Sequence, residues 1–187
     1  MNNDSTKFLV ESIQKTPITK KSQFVYQEYE NFFDEKMLEH INSNIDHLEK
    51  SKLRGQENQN RHKADYSNLL VRELTIIFSN AKLIKALEEA FGTELTLSSL
   101  DIWYDQPPYV LKTHVDDPSI KLSLQIYLST GVHPGTALHY SEDDVPFKIF
   151  DYKVNRGYSL LCGKNTYHST AYPVKSGDRK SLYVRYQ

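Results

Sequence analysis

The most constraining feature of this 187-residue sequence is a series of eight short segments in its second half that have the character of β-strands. One of them, residues 121–128, alternates apolar and polar residues almost without a break, as a strand with one face in a core does. Gly131, Pro134 and Gly135 then mark a turn before the next segment. The predicted strands cover residues 95–104, 109–115, 121–128, 136–140, 147–152, 158–161, 168–172 and 181–186.

The first half of the chain has helical patterns instead. An apolar stripe from Met37 to Leu48 predicts a helix over residues 35–50 with Asp34 as its N-cap, and residues 69–79 and 80–91 predict two more, the last closed by Gly92. Helices followed by many short strands indicate an α+β fold, with a double-stranded β-helix (jelly-roll) core and the helices packed outside it. Residues 1–23 are interpreted as an N-terminal extension and residues 24–187 as one domain.

Composition excludes several classes of protein. The net charge of −1 argues against a protein that binds nucleic acid through its overall charge. Cys162 is the single cysteine, so a disulfide framework cannot form, and no apolar run approaches the length of about 18 residues that a membrane span needs. A cytoplasmic protein with no membrane partner is expected.

His114 and Asp116 are candidate metal ligands. They are two residues apart at the end of a predicted strand, so both side chains should point to the same face. His168 follows Asp116 by 52 residues, and Arg179 lies 11 residues further on. Two histidines and one carboxylate with open coordination positions form the facial triad of non-heme Fe(II) oxygenases.

Residues 24–187 resemble the Fe(II)/2-oxoglutarate-dependent dioxygenases, and within them the prolyl-4-hydroxylase-like branch. The resemblance implies that His114, Asp116 and His168 hold Fe(II), with 2-oxoglutarate as co-substrate, O2 as oxidant and ascorbate as an optional addition. Its motifs are residues 31–34 before a helix, Trp103-Tyr104, His114-Val115-Asp116, residues 125–128, Gly135-Thr136, Arg156-Gly157, His168 and Arg179.

The same resemblance assigns the co-substrate pocket. Arg179 would neutralise the far carboxylate of 2-oxoglutarate, because a guanidinium can bind a carboxylate through two hydrogen bonds. Ser181, Tyr127 and Tyr104 would supply further hydroxyl donors. Each of these residues also has a plain structural interpretation: Arg179 as a solvated charge near a turn, Ser181 as a strand residue and the two tyrosines as packing. Trp103 is expected to pack in the core.

The expected activity is hydroxylation of an amino-acid side chain, prolyl favoured, in a protein, a peptide or a free amino acid. Asp116 favours hydroxylation over halogenation, because the family's halogenases have a small residue there. One alternative is an AlkB-type nucleic-acid demethylase, whose Arg-x-Asn-x-Thr-x-Arg pattern Arg179-x-Ser181-x-Tyr183-x-Arg185 matches only at the arginines. Another is a non-catalytic jelly-roll domain that binds a metal such as zinc.

Residues 51–67 are polar and almost without aliphatic side chains. A stretch of this length is long for a loop in a compact domain. Two interpretations stay open: a lid that covers the substrate, and a surface loop with no role.

Overall fold

The computed structural model describes residues 3–52 and 60–187. Within these ranges the chain forms four helices and eleven strands. The helices are α1 (Asn3–Lys15), α2 (Glu35–Ile45), α3 (Leu69–Phe78) and α4 (Ala81–Phe91). The strands are β1 (Thr19–Lys21), β2 (Phe24–Tyr29), β3 (Lys50–Lys52), β4 (Arg61–Ala64), β5 (Leu97–Asp105), β6 (Leu122–Tyr127), β7 (Thr136–His139), β8 (Lys148–Phe150), β9 (Gly157–Leu161), β10 (Tyr167–Thr170) and β11 (Arg179–Tyr186).

The strands form two antiparallel sheets. The larger has the order β1-β2-β9-β6-β11-β5-β4-β3, and the smaller has the order β10-β7-β8. A backbone bridge between His114 and His168 adds the segment before Asp116 to the edge of the smaller sheet. Apart from that bridge, residues 109–115 form no strand, although the sequence predicted one. Leu111 is hydrogen-bonded to Thr170. The mixed helix-and-sheet class predicted from the sequence is confirmed.

The central strands of the larger sheet present one face to the helices. On β6, Leu122, Leu124 and Ile126 join the main hydrophobic core, and alternate residues of β5 and β11 do the same. The side chains between them point to the opposite face, because successive residues of a strand face opposite sides. Asp34 caps α2 by accepting a hydrogen bond from the Met37 amide, and Gly92 ends α4 in the left-handed conformation at φ 67°, both as predicted.

The N-terminal segment is part of this folded unit. Leu9 and Ile13 of α1 are fully buried in the main core, and β1 pairs with β2 at the edge of the larger sheet. Two buried apolar side chains and one strand pairing thus connect this segment to the main core and to the larger sheet.

The polar stretch expected to be a loop or a lid contains a β-hairpin. Strands β3 and β4 pair with each other, and β4 extends the larger sheet by pairing with β5. Residues 53–59 of the proposed lid lie outside the described residues. Among the residues that are described, no helix is both long and apolar enough to cross a bilayer.

Gly157 allows β9 to pack closely on β6. A Cβ atom there would overlap the Gln125 carbonyl oxygen and lie 2.6 Å from Ile126 Cδ1, whereas a Cβ at Gly163 would meet nothing within 4 Å. We expect Gly157→Ala to lower the free energy of unfolding by about 2 kcal/mol, the usual scale for overpacking, and Gly163→Ala to change it little. Urea denaturation measures both, and equal midpoints for the two variants would show that the close approach is not needed.

Candidate active site

His114, Asp116 and His168 come together at one end of the smaller sheet. One ligand atom from each lies within 4.8 Å of the other two, and the two imidazole rings are 4.3 Å apart between centroids. The backbone holds the histidines in place: the His114 amide donates to the His168 carbonyl at 3.0 Å, and the His168 amide donates back at 2.8 Å. Pairing of the segment before Asp116 with β10 thus brings together two histidines that are 54 positions apart in the sequence.

Hydrogen bonds orient both imidazoles toward a common centre. Nδ1 of His114 lies 2.9 Å from the Lys112 carbonyl oxygen, and Nδ1 of His168 lies 3.0 Å from the Thr166 carbonyl oxygen. A carbonyl can only accept, so each Nδ1 carries the proton and each Nε2 keeps its lone pair. Burial, followed by repulsion from His168, lowers the pKa of His114, which favours the neutral form that binds metals. The three side chains therefore suit a divalent metal ion.

The Asp116 carboxylate has two further neighbours. The Tyr183 hydroxyl lies 3.0 Å from both carboxylate oxygens, and Cys162 Sγ lies 3.3 Å from Oδ2. Loss of solvent around the Tyr183 hydroxyl, followed by the charge of Asp116, raises the pKa of Tyr183 well above its ordinary value, so the phenol remains a donor. Tyr183 was not among the predicted site residues, although it lies four residues after Arg179 on the same strand face.

A cavity of about 180 Å³ opens beside this cluster. Its wall includes His114, Asp116, His168 and Arg179, so the predicted metal ligands and the predicted basic residue share one space. Trp103 also lines the cavity, which corrects the expectation that it packs in the core. It lies on β5 two residues before Asp105, on the face opposite the helices.

Arg179 is buried at the start of β11, with 1% of its side chain exposed. Its Nε donates to the Pro134 carbonyl at 2.8 Å, and Nη1 donates to Asp105 Oδ2 at 2.8 Å. Burial opposes the charge, but the Asp105 carboxylate and the neighbouring phenols outweigh this and raise the pKa of Arg179. The guanidinium is therefore charged, and it is not the solvated surface group of the alternative interpretation.

Arg61 contacts the same carboxylate from the opposite side. Its Nε lies 2.6 Å from Asp105 Oδ1 and its Nη2 lies 3.1 Å from Oδ2. Its guanidinium carbon lies 4.8 Å from the Trp103 ring centroid and 4.4 Å from that of Tyr109. The Arg61–Asp105 pair could not be predicted from the sequence, because it depends on the pairing of β4 with β5. Only the two-residue spacing of Trp103 and Asp105 could have suggested that Asp105 faces the cavity.

The three hydroxyl-bearing residues predicted to bind the co-substrate do not all lie on the same face of the larger sheet. Ser181 and Tyr127 face the interior between the sheets: Ser181 Oγ accepts from Gln125 Nε2 at 3.1 Å, and the Tyr127 hydroxyl donates to Thr136 Oγ1 at 3.1 Å. Tyr104 lies on the opposite face of β5, where its hydroxyl donates to the Ile45 carbonyl at 2.6 Å within the helical core. The structure thus does not bring Tyr104 to the cavity, and we leave it out of the site.

Removing one of the three central side chains should remove the metal site. We expect His168→Ala to weaken Mn(II) binding by at least about 100-fold, since losing even a residue that only supports a ligand costs 10- to 100-fold. His40→Ala is the matched control, because that imidazole pairs with Glu73 on the helical side of the molecule. Titration calorimetry measures both, and an unchanged affinity in His168→Ala would place the metal elsewhere.

No family model matches the sequence, and no curated protein matches it. Solved structures do match. A 2OG-Fe(II) oxygenase family oxidoreductase from Burkholderia pseudomallei is 14% identical, with a TM-score of 0.70 over 100% of this chain and 91% of that one.

Two structures with bound ligands are also similar. A Trichoplax adhaerens prolyl hydroxylase, solved with a hypoxia inducible factor peptide fragment, is 11% identical with a TM-score of 0.62 over 97% of this chain and 88% of that one. HygX from Streptomyces hygroscopicus, solved with nickel, 2-oxoglutarate and hygromycin B, is 11% identical with a TM-score of 0.61 over 100% of this chain and 87% of that one. This chain has the fold of the 2OG-Fe(II) oxygenases.

Proposed function

We propose that this protein is an Fe(II)- and 2-oxoglutarate-dependent oxygenase. The observation that carries the proposal is the presence of the His114, Asp116 and His168 cluster and the buried Arg179 on the wall of one cavity. A domain that only binds a metal would need the His114, Asp116 and His168 cluster. It would not need a buried, charged arginine beside that cluster. The likeness to HygX, which was solved with nickel and 2-oxoglutarate, supports the same assignment.

The two sheets are proposed to form a double-stranded β-helix that surrounds the cavity. The inward-facing residues of β5, β6 and β11 would supply its polar lining, and β10 with the His114 segment would supply the metal ligands. The full-length matches to 2OG-Fe(II) oxygenase structures support this architecture.

The residues present define a role for each part of the site. His114, Asp116 and His168 would hold Fe(II), which would supply the oxidation of substrate by O2 coupled to decarboxylation of 2-oxoglutarate. Arg179 would bind the far carboxylate of the co-substrate through the guanidinium N–H groups that Asp105 and Pro134 do not use. The Tyr183 hydroxyl would keep the Asp116 carboxylate in one orientation, as hydrogen bonds to metal ligands generally do.

Hydroxylation of an amino-acid side chain, prolyl favoured, is the proposed outcome. The similarity to the Trichoplax prolyl hydroxylase with its bound peptide and to a Pseudomonas putida prolyl-4-hydroxylase supports it, as does the retained Asp116 carboxylate. The epimerase SnoN has a TM-score of 0.63 with this chain, so the same fold also supports other oxidative outcomes. A turnover screen with prolyl peptides, free amino acids and alkylated nucleotides would identify the substrate class, the last group testing the AlkB-type alternative.

Arg179→Lys should raise the KM for 2-oxoglutarate by at least about tenfold while Fe(II) affinity stays unchanged, because an ammonium cannot make the two-pronged contact that a guanidinium makes. Succinate formation at varied 2-oxoglutarate concentration measures the KM, and Lys175→Arg, a change at a cation outside the cavity, is the control. A wild-type protein that binds the metal but forms no succinate with any substrate in the screen would favour the non-catalytic alternative. An unchanged KM in Arg179→Lys would move the co-substrate role to another residue.

A further inference from the structure

Arg179, the predicted basic residue on the wall of the cavity, already has a carboxylate partner. Asp105 is fully buried, and it accepts a hydrogen bond at 2.8 Å from Arg179. Taken alone, this buried pair has no net charge. A neutral pair is a poor site for a second carboxylate, because the incoming anion would be attracted by Arg179 and repelled by Asp105 at nearly the same distance.

Arg61 changes this balance. It binds both oxygens of Asp105, and 13% of its side chain is exposed, so it belongs to the same buried cluster. Two guanidiniums and one carboxylate give the Arg61–Asp105–Arg179 cluster a net charge of +1. The Trp103 and Tyr109 rings hold the Arg61 guanidinium in place from its faces.

Other charged groups nearby do not cancel this charge. Asp178, next to Arg179 in the chain, accepts a hydrogen bond from Gln106 at 3.1 Å and pairs with Lys50 at 3.8 Å. Burial and repulsion from Arg179 both lower the pKa of His133, which favours its neutral form. The excess positive charge around Arg179 therefore depends on Arg61.

The Tyr109 ring lies against Arg61, and its buried hydroxyl is without a hydrogen-bond partner among the described residues. Tyr109 is 3% exposed, and its hydroxyl makes no hydrogen bond to any residue in the ranges 3–52 and 60–187. Buried polar groups are nearly always hydrogen-bonded, so an orphaned hydroxyl beside a cationic cluster is consistent with a missing polar ligand.

We infer that Arg61 is a positioning residue for the co-substrate: by compensating Asp105, it leaves the charge of Arg179 available to the far carboxylate of 2-oxoglutarate. This inference rests on the proposed function. It also gives the β3–β4 hairpin a role, since β4 carries Arg61 to the cavity by pairing with the end of β5.

A second ionic cluster on the same three strands provides a matched control. Lys63, two residues after Arg61 on β4, lies 3.2 Å from Asp101, which in turn pairs with Arg185 at 2.9 Å. Lys63→Gln removes the same charge from the same strand without touching Asp105. It separates a specific effect at the Arg179 end from a general change in the charge of the wall.

The test is calorimetric titration of 2-oxoglutarate into the Mn(II)-loaded full chain, which measures binding without turnover. Arg61→Gln should raise the Kd by about tenfold or more, the order expected for losing one charge at short range in a partly buried site. Lys63→Gln should leave it essentially unchanged. Arg61→Gln combined with Asp105→Asn should restore a Kd near that of the wild type, because both compensating charges are then gone and Arg179 is again unopposed.

The outcomes separate this inference from the proposed function. If the wild-type protein binds no 2-oxoglutarate, the proposed function fails. If the wild type binds and Arg61→Gln binds equally well, or the double variant is as weak as Arg61→Gln, the inference is overturned and the proposed function stands. Should Arg61→Gln fail to fold by circular dichroism, Asp105→Asn alone decides: the inference predicts a Kd no higher than that of the wild type, and a tenfold weaker affinity would overturn it.

Discussion

The antiparallel pairing of β5, β11 and β6 divides each strand into two sets of side chains, and the rest of the molecule depends on that division. Leu182 and Val184 of β11 face the helices, whereas Arg179, Ser181 and Tyr183 face the interior between the sheets. A shift of one residue in this register would place a guanidinium in the helical core and aliphatic groups in the cavity. Because the helical core is apolar, the register is strongly specified, and the site is built on strands that the core holds in place.

The interior face carries charged groups that are costly to bury, and each buried carboxylate there is paired with two cationic side chains. Asp105 lies between Arg61 and Arg179, and Asp101 lies between Lys63 and Arg185. Isolated charges in such surroundings would be strongly unfavourable, and paired ones rarely add much stability relative to apolar packing. The Arg61–Asp105–Arg179 cluster, which carries a net charge of +1, is better explained by an anionic ligand that needs this charge than by a gain in stability.

The sequence predicted the elements whose signals are local. Short-range patterns predicted the caps at Asp34 and Gly92, the helices over residues 69–91 and the shared face of His114 and Asp116. The structure confirms the caps and the helices. What the sequence could not show depends on pairing between distant segments. Arg61 meets Asp105 only because β4 pairs with β5, and α1 joins the core only through its packing on the helices. Tyr104 was assigned from the resemblance alone, and strand parity places it away from the cavity, beside Ile45.

The central claim is that one cavity holds a metal at His114, Asp116 and His168 and a diacid between that metal and Arg179. A crystal structure of the protein with Mn(II) and 2-oxoglutarate, using the anomalous signal of manganese, tests it most directly. The account predicts an anomalous peak bounded by these three side chains, with the far carboxylate of the diacid against the Arg179 guanidinium. A manganese peak at other residues, or a diacid bound away from Arg179, would contradict it.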